Sequence, residues 1–278
     1  MRRCICLLFC MTLFLGCSPE KKQSVKPVSL PEEKPAKAIE CNLRIGYDTW
    51  EPYQFMDIDN KVKGLDIDLL VMLMKKIGCH DYEFKIDVWV ELLKMMREGE
   101  IDVVMGASIT KSRKEFALFS DAYRQEEFRL YVRSEELHLY PYTQIEDLLK
   151  KNKKVGLIDE YYYGNSVSKL RESETYKSLF ISGVMSEVNI ARLMDHQIDS
   201  FLEDSFVGAA LIKRKGLQRY ISPHSIHIRT GPVYIMFSKK TVSPELVQKF
   251  NKALQVIREN GSYQRLLEKY AKIEANPG

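Results

Sequence analysis

No stretch of this sequence approaches the roughly 20 apolar residues that cross a bilayer, so no membrane-spanning helix is expected. Cations are not in excess either. Forty-two Lys and Arg stand against 38 Asp and Glu, and the formal charge of +4 falls to +2 once Arg2 and Arg3 are set aside. Phosphate binding draws on many cations gathered on one face, so nucleic acid is not expected as a partner. The five histidines lack the spacing of a metal site; His224 and His227, near Pro223, read as plain loop rather than as a ligand pair. There is no glycine loop that would cradle a phosphate, and Gly106-Ala107-Ser108-Ile109-Thr110 lacks the final glycine of a nucleophile elbow. Neither metal nor cofactor is expected. What is present is a chain of 278 residues, 45% hydrophobic and 29% charged, enough for two domains and a real core.

Arg2 and Arg3 precede an apolar run over residues 4–15 that ends in Phe14-Leu15-Gly16-Cys17. The run is about half a membrane span, so residues 1–16 read as a signal peptide. Its ending resembles a bacterial lipobox, with Phe14 where Leu is usual, which implies lipidation of Cys17; ordinary secretion with Cys17 as an odd thiol is the other reading. At ~0.8 kcal/mol per buried methylene, two or three acyl chains would hold the protein on a membrane almost permanently. Residues 18–40 carry four of the ten prolines among alternating Lys and Glu, with no apolar period. This is the composition of a solvated tether, able to reach roughly 75 Å when extended. Residues 17–40 are thus expected to be lipidated Cys and flexible tether, holding an exported protein at the extracytoplasmic face of the cell envelope.

Of six cysteines, Cys4, Cys6 and Cys10 leave with the leader and Cys17 takes the lipid. Cys41 and Cys79 remain. An oxidising compartment allows them to pair, and each falls just before a predicted strand. Neighbouring parallel strands would bring these starts together; two inert buried thiols are the alternative.

From Leu43 the sequence gives a strand (L-R-I-G-Y), a helix over 66–77 with Leu69, Leu70, Leu73, Met74 and Ile77 on one stripe, a strand (Y-E-F-K-I), a helix over 90–98 and a strand (I-D-V-V-M-G). That βαβαβ order implies a parallel sheet covered by helices. The pattern returns as K-V-G-L-I, a helix from 164, Y-K-S-L-F-I, a helix from 187 and I-D-S-F-L-E-D. Met72, Met74, Met95 and Met96 fall on helix faces and read as core filler. Pro232 opens a further strand to residue 238, and Ser243-Pro244-Glu245 starts a helix that stops at Gly261, with a short last helix after Ser262. The predicted fold class is α/β with two lobes. Lobe I comprises 41–126 plus 230–278 and lobe II 127–229, joined by two hinge strands around a cleft, in a protein expected to be monomeric.

Ligands of open α/β sheets bind beyond the carboxyl ends of the strands. In the first lobe that place is Gly106-Ala107-Ser108-Ile109-Thr110, followed by Arg113 in a helical stretch that continues K-E-F-A-L-F. Thr110 is a good N-cap, which would put Arg113 in the first turn, where a cation opposes the helix dipole and awaits an anion. Arg113, the free amides and Ser108 would suit a carboxylate; Arg113 paired with Glu115 or turned to solvent is the other reading. In the second lobe the matching acid is Asp204, suited to an ammonium group or, alternatively, capping the helix that follows.

Taken together, L-R-I-G-Y-D-T-W-E-P-Y-Q-F, G-L-D-I-D-L, I-D-V-V-M-G-A-S-I-T-K-S-R, F-S-D-A-Y and P-V-Y-I-M-F-S-K with the S-P-E-L-V helix resemble the family 3 solute-binding proteins, over essentially all of residues 41–272. These are the polar amino-acid receptors of ABC importers, such as the lysine/arginine/ornithine-, histidine- and glutamine-binding proteins. The resemblance implies the periplasmic-binding-protein-like (type II) fold and a hinge that closes on a small-molecule amino acid for delivery to a membrane permease. It gives Arg113 the ligand's α-carboxylate, with Ser108 and the backbone of Gly106, and gives Asp204 the α-amino group. Trp50 covers the side chain, and Leu65 stands where a second aromatic is frequent. Asp48 matches a position that reaches cationic side chains, Glu51 replaces a usual proline, and Tyr161 or Tyr162 in the turn over 159–164 lines the cleft or lies at the surface. A basic or neutral polar ligand is expected. The rival expectations are a cyclohexadienyl or arogenate dehydratase using Glu51, Glu160 or Glu203 as general acid, a sensory module, and a lipoprotein that has lost its ligand.

Overall fold

The computed structural model describes residues 41–275. The expected leader over 1–16, lipidated Cys17 and tether over 18–40 lie outside them. Strand β1 (Asn42–Tyr47) leads through a small hairpin, β2 (Phe55–Met56) and β3 (Val62–Lys63), into helix α1 (Leu65–Ile77). Asp66 and Asp68 in the first turn of α1, Lys75 and Lys76 in its last, and Gly78 at φ 78° complement the helix dipole and supply the left-handed cap. β4 (Asp81–Ile86), α2 (Trp89–Glu98) and β5 (Val103–Ala107) complete the first βαβαβ unit, with β4 and β5 parallel to β1 on its two sides. Register places Asn42 opposite Asp81, which brings Cys41 and Cys79 together; they form a disulfide with Cα atoms 5.7 Å apart.

The chain then makes α3 (Arg113–Phe116), β6 (Ala117–Phe119) and the long β7 (Arg124–Arg133), followed by α4 (Ile145–Leu149). β8 (Val155–Ile158), α5 (Gly164–Glu172), β9 (Phe180–Gly183), α6 (Ser186–Met194) and β10 (Ser200–Asp204) repeat the first unit, with β9 and β10 parallel on either side of β8. After α7 (Ser205–Arg214) comes β11 (Ile221–Ser238), whose end pairs antiparallel with β5 and β6 while most of its length pairs antiparallel with β7. β7 pairs in turn with β10, so the strand order is β4-β1-β5-β11-β7-β10-β8-β9. The two long central strands thus link two like units, a two-lobed α/β fold. Helices α8 (Pro244–Glu259), capped by the Ser243 hydroxyl, and α9 (Ser262–Ala275) pack back onto α1.

Each unit has its own core. In the first, Leu70, Leu73, Phe237 and Phe250 are fully buried between sheet and helices; in the second, Leu130, Leu148, Val155, Leu157 and Leu202 are. Met74 and Met96 are buried, and Met72 and Met95 pack partly buried against the core.

Three local expectations are corrected. The helix expected to run from Arg113 through Phe119 ends at Phe116, because Ala117, Leu118 and Phe119 pair with Ser238, Phe237 and Met236. The strand expected over 176–181 begins at Phe180, after a single 3-10 turn (Lys177–Leu179). Pro232 lies inside a strand rather than at its start, opposite Gln125, and His224 and His227 belong to the same strand instead of a loop. His224 is buried, bonded to the Tyr140 carbonyl and the Ile226 amide, and His227 is exposed.

Candidate functional site

The carboxyl ends of β1, β4, β5 and β8 converge with the start of β7 on one cavity. Its walls include Asp48, Trp50, Gly106, Ser108, Arg113, Tyr161 and Tyr162, all offered by the sequence, together with Gln54, Trp89, Met105, Glu126 and Phe128. The empty space is about 420 Å³ counted to the solvent opening.

One wall is the turn after β8. Glu160 holds φ 62°, in the left-handed region, and its carbonyl accepts from Arg113 Nη2 at 2.6 Å and from Trp89 Nε1 at 3.3 Å. The Tyr161 ring follows into the cavity, 6.2 Å from both Trp50 and Trp89 with edge-on geometry and 6.4 Å from Phe128.

Arg113 is 5% exposed. Thr110 Oγ1 accepts its amide at 3.2 Å, although the residue at the N-cap of α3 is Ser112. Nη1 donates to the Ser108 carbonyl at 2.9 Å, and the guanidinium lies 5.2 Å from the centre of the Trp89 ring. Among the described residues no carboxylate comes within 4 Å of it; the expected Glu115 partner and the solvent-facing position are both set aside. Burial pulls its pKa down to about 10. A buried cation satisfied only by carbonyls favours the arrival of an anion.

Three expected contacts are not part of the lining. Asp204 is the N-cap of α7, its Oδ1 accepting from the Phe206 and Val207 amides at 2.9 and 3.2 Å. Glu51 turns outward to an ion pair with Arg214, which also reaches Glu187. Leu65 packs behind the cavity wall against the Trp50, Tyr53 and Val207 cluster. The Gly106 amide is already taken by the Tyr123 hydroxyl at 2.8 Å; at φ 77° and with Trp50 3.1 Å from an added Cβ, the position holds only glycine without strain. Replacing Asp204 by Ala is expected to lower stability by about 1–2 kcal/mol through loss of the cap, while Asn at that position stays near wild type. Denaturant titration of the two variants checks this.

Asp48 lines the cavity with both oxygens on backbone amides, Thr49 at 2.6 Å and Trp89 at 3.2 Å. Burial raises it and Asp204 to about 6, and raises Glu126 and Glu203 to about 7. Glu203 is fully buried, accepting from the Ser186 hydroxyl, the Asp204 amide and, at 3.4 Å, Trp50 Nε1. Each folded pKa exceeds the unfolded value, so between about pH 4 and 7 the folded state binds more protons than the unfolded one. Stability is therefore expected to fall as pH rises through that window. Denaturation midpoints that climb from about pH 5 to 7.5 would contradict this.

The sequence reading missed Trp89, Phe128 and Glu126. Trp89 begins α2 at the carboxyl end of β4, a position the strand-end rule could have flagged; with Phe128 it supplies the aromatic wall that Leu65 does not.

The architecture agrees with the comparisons. Residues 43–273 match the model of the bacterial extracellular solute-binding proteins, family 3. A probable histidine-binding protein of Neisseria gonorrhoeae is 28% identical, over 95% of this chain and 92% of that protein. The histidine-binding periplasmic protein of Escherichia coli K12 is 26% identical, over 87% and 92%. Among solved structures, an ancestral arginine-binding protein bound to arginine superposes with a TM-score of 0.70 at 27% identity, over 82% of this chain and 97% of that one. The chain belongs to the bacterial extracellular solute-binding proteins of family 3.

Proposed function

We propose that this protein is the amino-acid receptor of an ABC importer, a monomer exported and lipid-anchored at Cys17, which delivers its ligand to a membrane permease. The observation that carries this reading is Arg113, a buried guanidinium with no carboxylate within 4 Å among the described residues, at the head of an aromatic-walled cavity. A carboxylate there gains two parallel charge-assisted hydrogen bonds in a low-dielectric site. Entry requires the Glu160–Tyr161 turn to withdraw and closure returns it, a motion between lobes bounded near 126/127 and 229/230. At the second boundary β11 shifts register between Arg229 and Gly231.

The side chain of the ligand would lie against Trp50, Trp89, Phe128 and Tyr161. Asp48 in the same wall favours a basic amino acid over a neutral polar one, since aromatic faces and a carboxylate both attract a cation. The arginine- and histidine-binding relatives support the same class. A dehydratase reading has less behind it: Glu51 is in a surface ion pair, Glu203 is not part of the lining, and Glu160 contributes its carbonyl while its side chain is exposed.

A thermal-shift screen of the common amino acids, with native mass spectrometry of freshly purified protein, tests the proposal. At a hundred times Kd a ligand stabilises by about 2.7 kcal/mol, and arginine, lysine or histidine is expected to produce that shift. No shift with any amino acid would refute the receptor reading.

A further inference from the structure

The turn after β1, Trp50-Glu51-Pro52-Tyr53, seats on α7, the helix that follows the second βαβαβ unit, through two kinds of contact. Trp50 and Tyr53 pack with Val207 in one buried apolar cluster, and the Tyr53 ring lies 6.4 Å edge-on from Phe206. Glu51 Oε2 accepts from Arg214 Nη1. Val207 and Arg214 are about two turns apart on α7, so one face of the helix carries both contacts. Arg214 Nη2 also lies 3.6 Å from Glu187 Oε1, and Lys215 Nζ lies 3.8 Å from the same oxygen. Glu187 belongs to α6 of the second unit, so that arm stays within the unit while the Glu51 arm crosses between units. Neither Glu51 nor Arg214 lines the cavity. Their side chains are 35% and 42% exposed, within reach of dissolved salt.

We propose that Glu51 and Arg214 form a latch between the two units that sets how fast a bound amino acid leaves. The latch rests on the receptor reading, in which exchange of the ligand requires the units to part. Arg214 keeps its place without Glu51: a cation in the last turn of α7 suits the helix dipole, and Glu187 attracts its second nitrogen. Opening therefore breaks one arm of the network and spares the other. A contact made in the closed form alone shifts the balance toward that form by its own free energy. For a partly exposed pair this amounts to a factor of about two to five at low salt, and less as salt screens it. Release must pass through opening, so the factor appears in the dissociation rate whichever form the free protein prefers. It appears equally for every ligand, because neither residue touches the cavity.

The test is stopped-flow tryptophan fluorescence, which reads release because both tryptophans of the chain line the cavity. The probes are L-arginine and, as a neutral polar ligand, L-glutamine. Wild type is compared with E51Q, R214Q, the E51Q/R214Q double variant and E187Q, at about 0.02 M and 0.5 M sodium chloride. At low salt E51Q and R214Q are expected to release each amino acid that binds roughly two to five times faster than wild type, by the same factor for each, and the double variant no faster than R214Q. At high salt the difference should close. E187Q changes the net charge as E51Q does but removes a contact that opening spares, so it is expected to release at the wild-type rate. Four results would each overturn the latch and leave the receptor reading intact: wild-type release in E51Q at low salt, the same acceleration in E187Q, an acceleration that persists at high salt, or single-variant factors that multiply in the double variant. A wild type that binds neither amino acid overturns the receptor reading, and the latch with it.

Discussion

Arg113→Ala is expected to weaken amino-acid binding by about 2–5 kcal/mol, roughly thirtyfold or more. The guanidinium is almost wholly buried, its two hydrogen bonds go to neutral carbonyls, and burial already depresses its pKa to about 10. A carboxylate placed against it relieves that cost, and alanine removes the relief. Because alanine also removes a charge whose burial outweighs its attraction to Glu126 and Glu160, the free protein should hold its stability or gain some. The signature is thus a lost affinity with an unchanged or higher melting temperature. Arg113→Lys keeps the charge but not the planar fork, and should fall between the two. Titration calorimetry and a thermal melt separate the outcomes; wild-type affinity in the alanine variant would remove Arg113 from the site.

The second large effect concerns the fold. The Cys41–Cys79 bond closes a loop between residues 38 apart in sequence, and in the chain-entropy description a loop of that size stabilises by about 4 kcal/mol. The bond ties the start of β1 to the start of β4, at the end of the sheet opposite the cavity. The Cys41→Ala/Cys79→Ala double variant should therefore lose stability while keeping its ligand affinity near wild type. Guanidinium unfolding curves that coincide for the oxidised protein and the double variant would show that the bond contributes nothing.

The two βαβαβ units were legible because their signals are local: a stripe of Leu69, Leu70, Leu73 and Met74, an acidic first turn, a Gly at the end. The disulfide pair followed from strand order. Arg113, Ser108, Gly106, Trp50, Asp48 and Tyr161 were legible from the strand-end rule and from resemblance, and the structure gathers all six. What local pattern could not give was anything decided by distant pairing. Ala117-Leu118-Phe119 continues a helical apolar pattern, yet β11, more than a hundred residues later, draws it into the sheet. Glu126 sits in Q-E-E, a run that reads as solvated surface; it is buried because β7 is the strand that runs beneath the cavity, flanked by β11 and β10. Asp204 was open to two readings from sequence; the structure shows it capping α7 through Oδ1.

A crystal structure of the protein grown with saturating L-arginine tests the central claim most directly. The account predicts the ligand's carboxylate within about 2.7–3.2 Å of the Arg113 guanidinium, its side chain between Trp50, Trp89 and Phe128, and the Glu160–Tyr161 turn displaced from its present seat. A ligand bound elsewhere, or a cavity still filled by Tyr161 while Arg113 keeps only its two carbonyl partners, would contradict it.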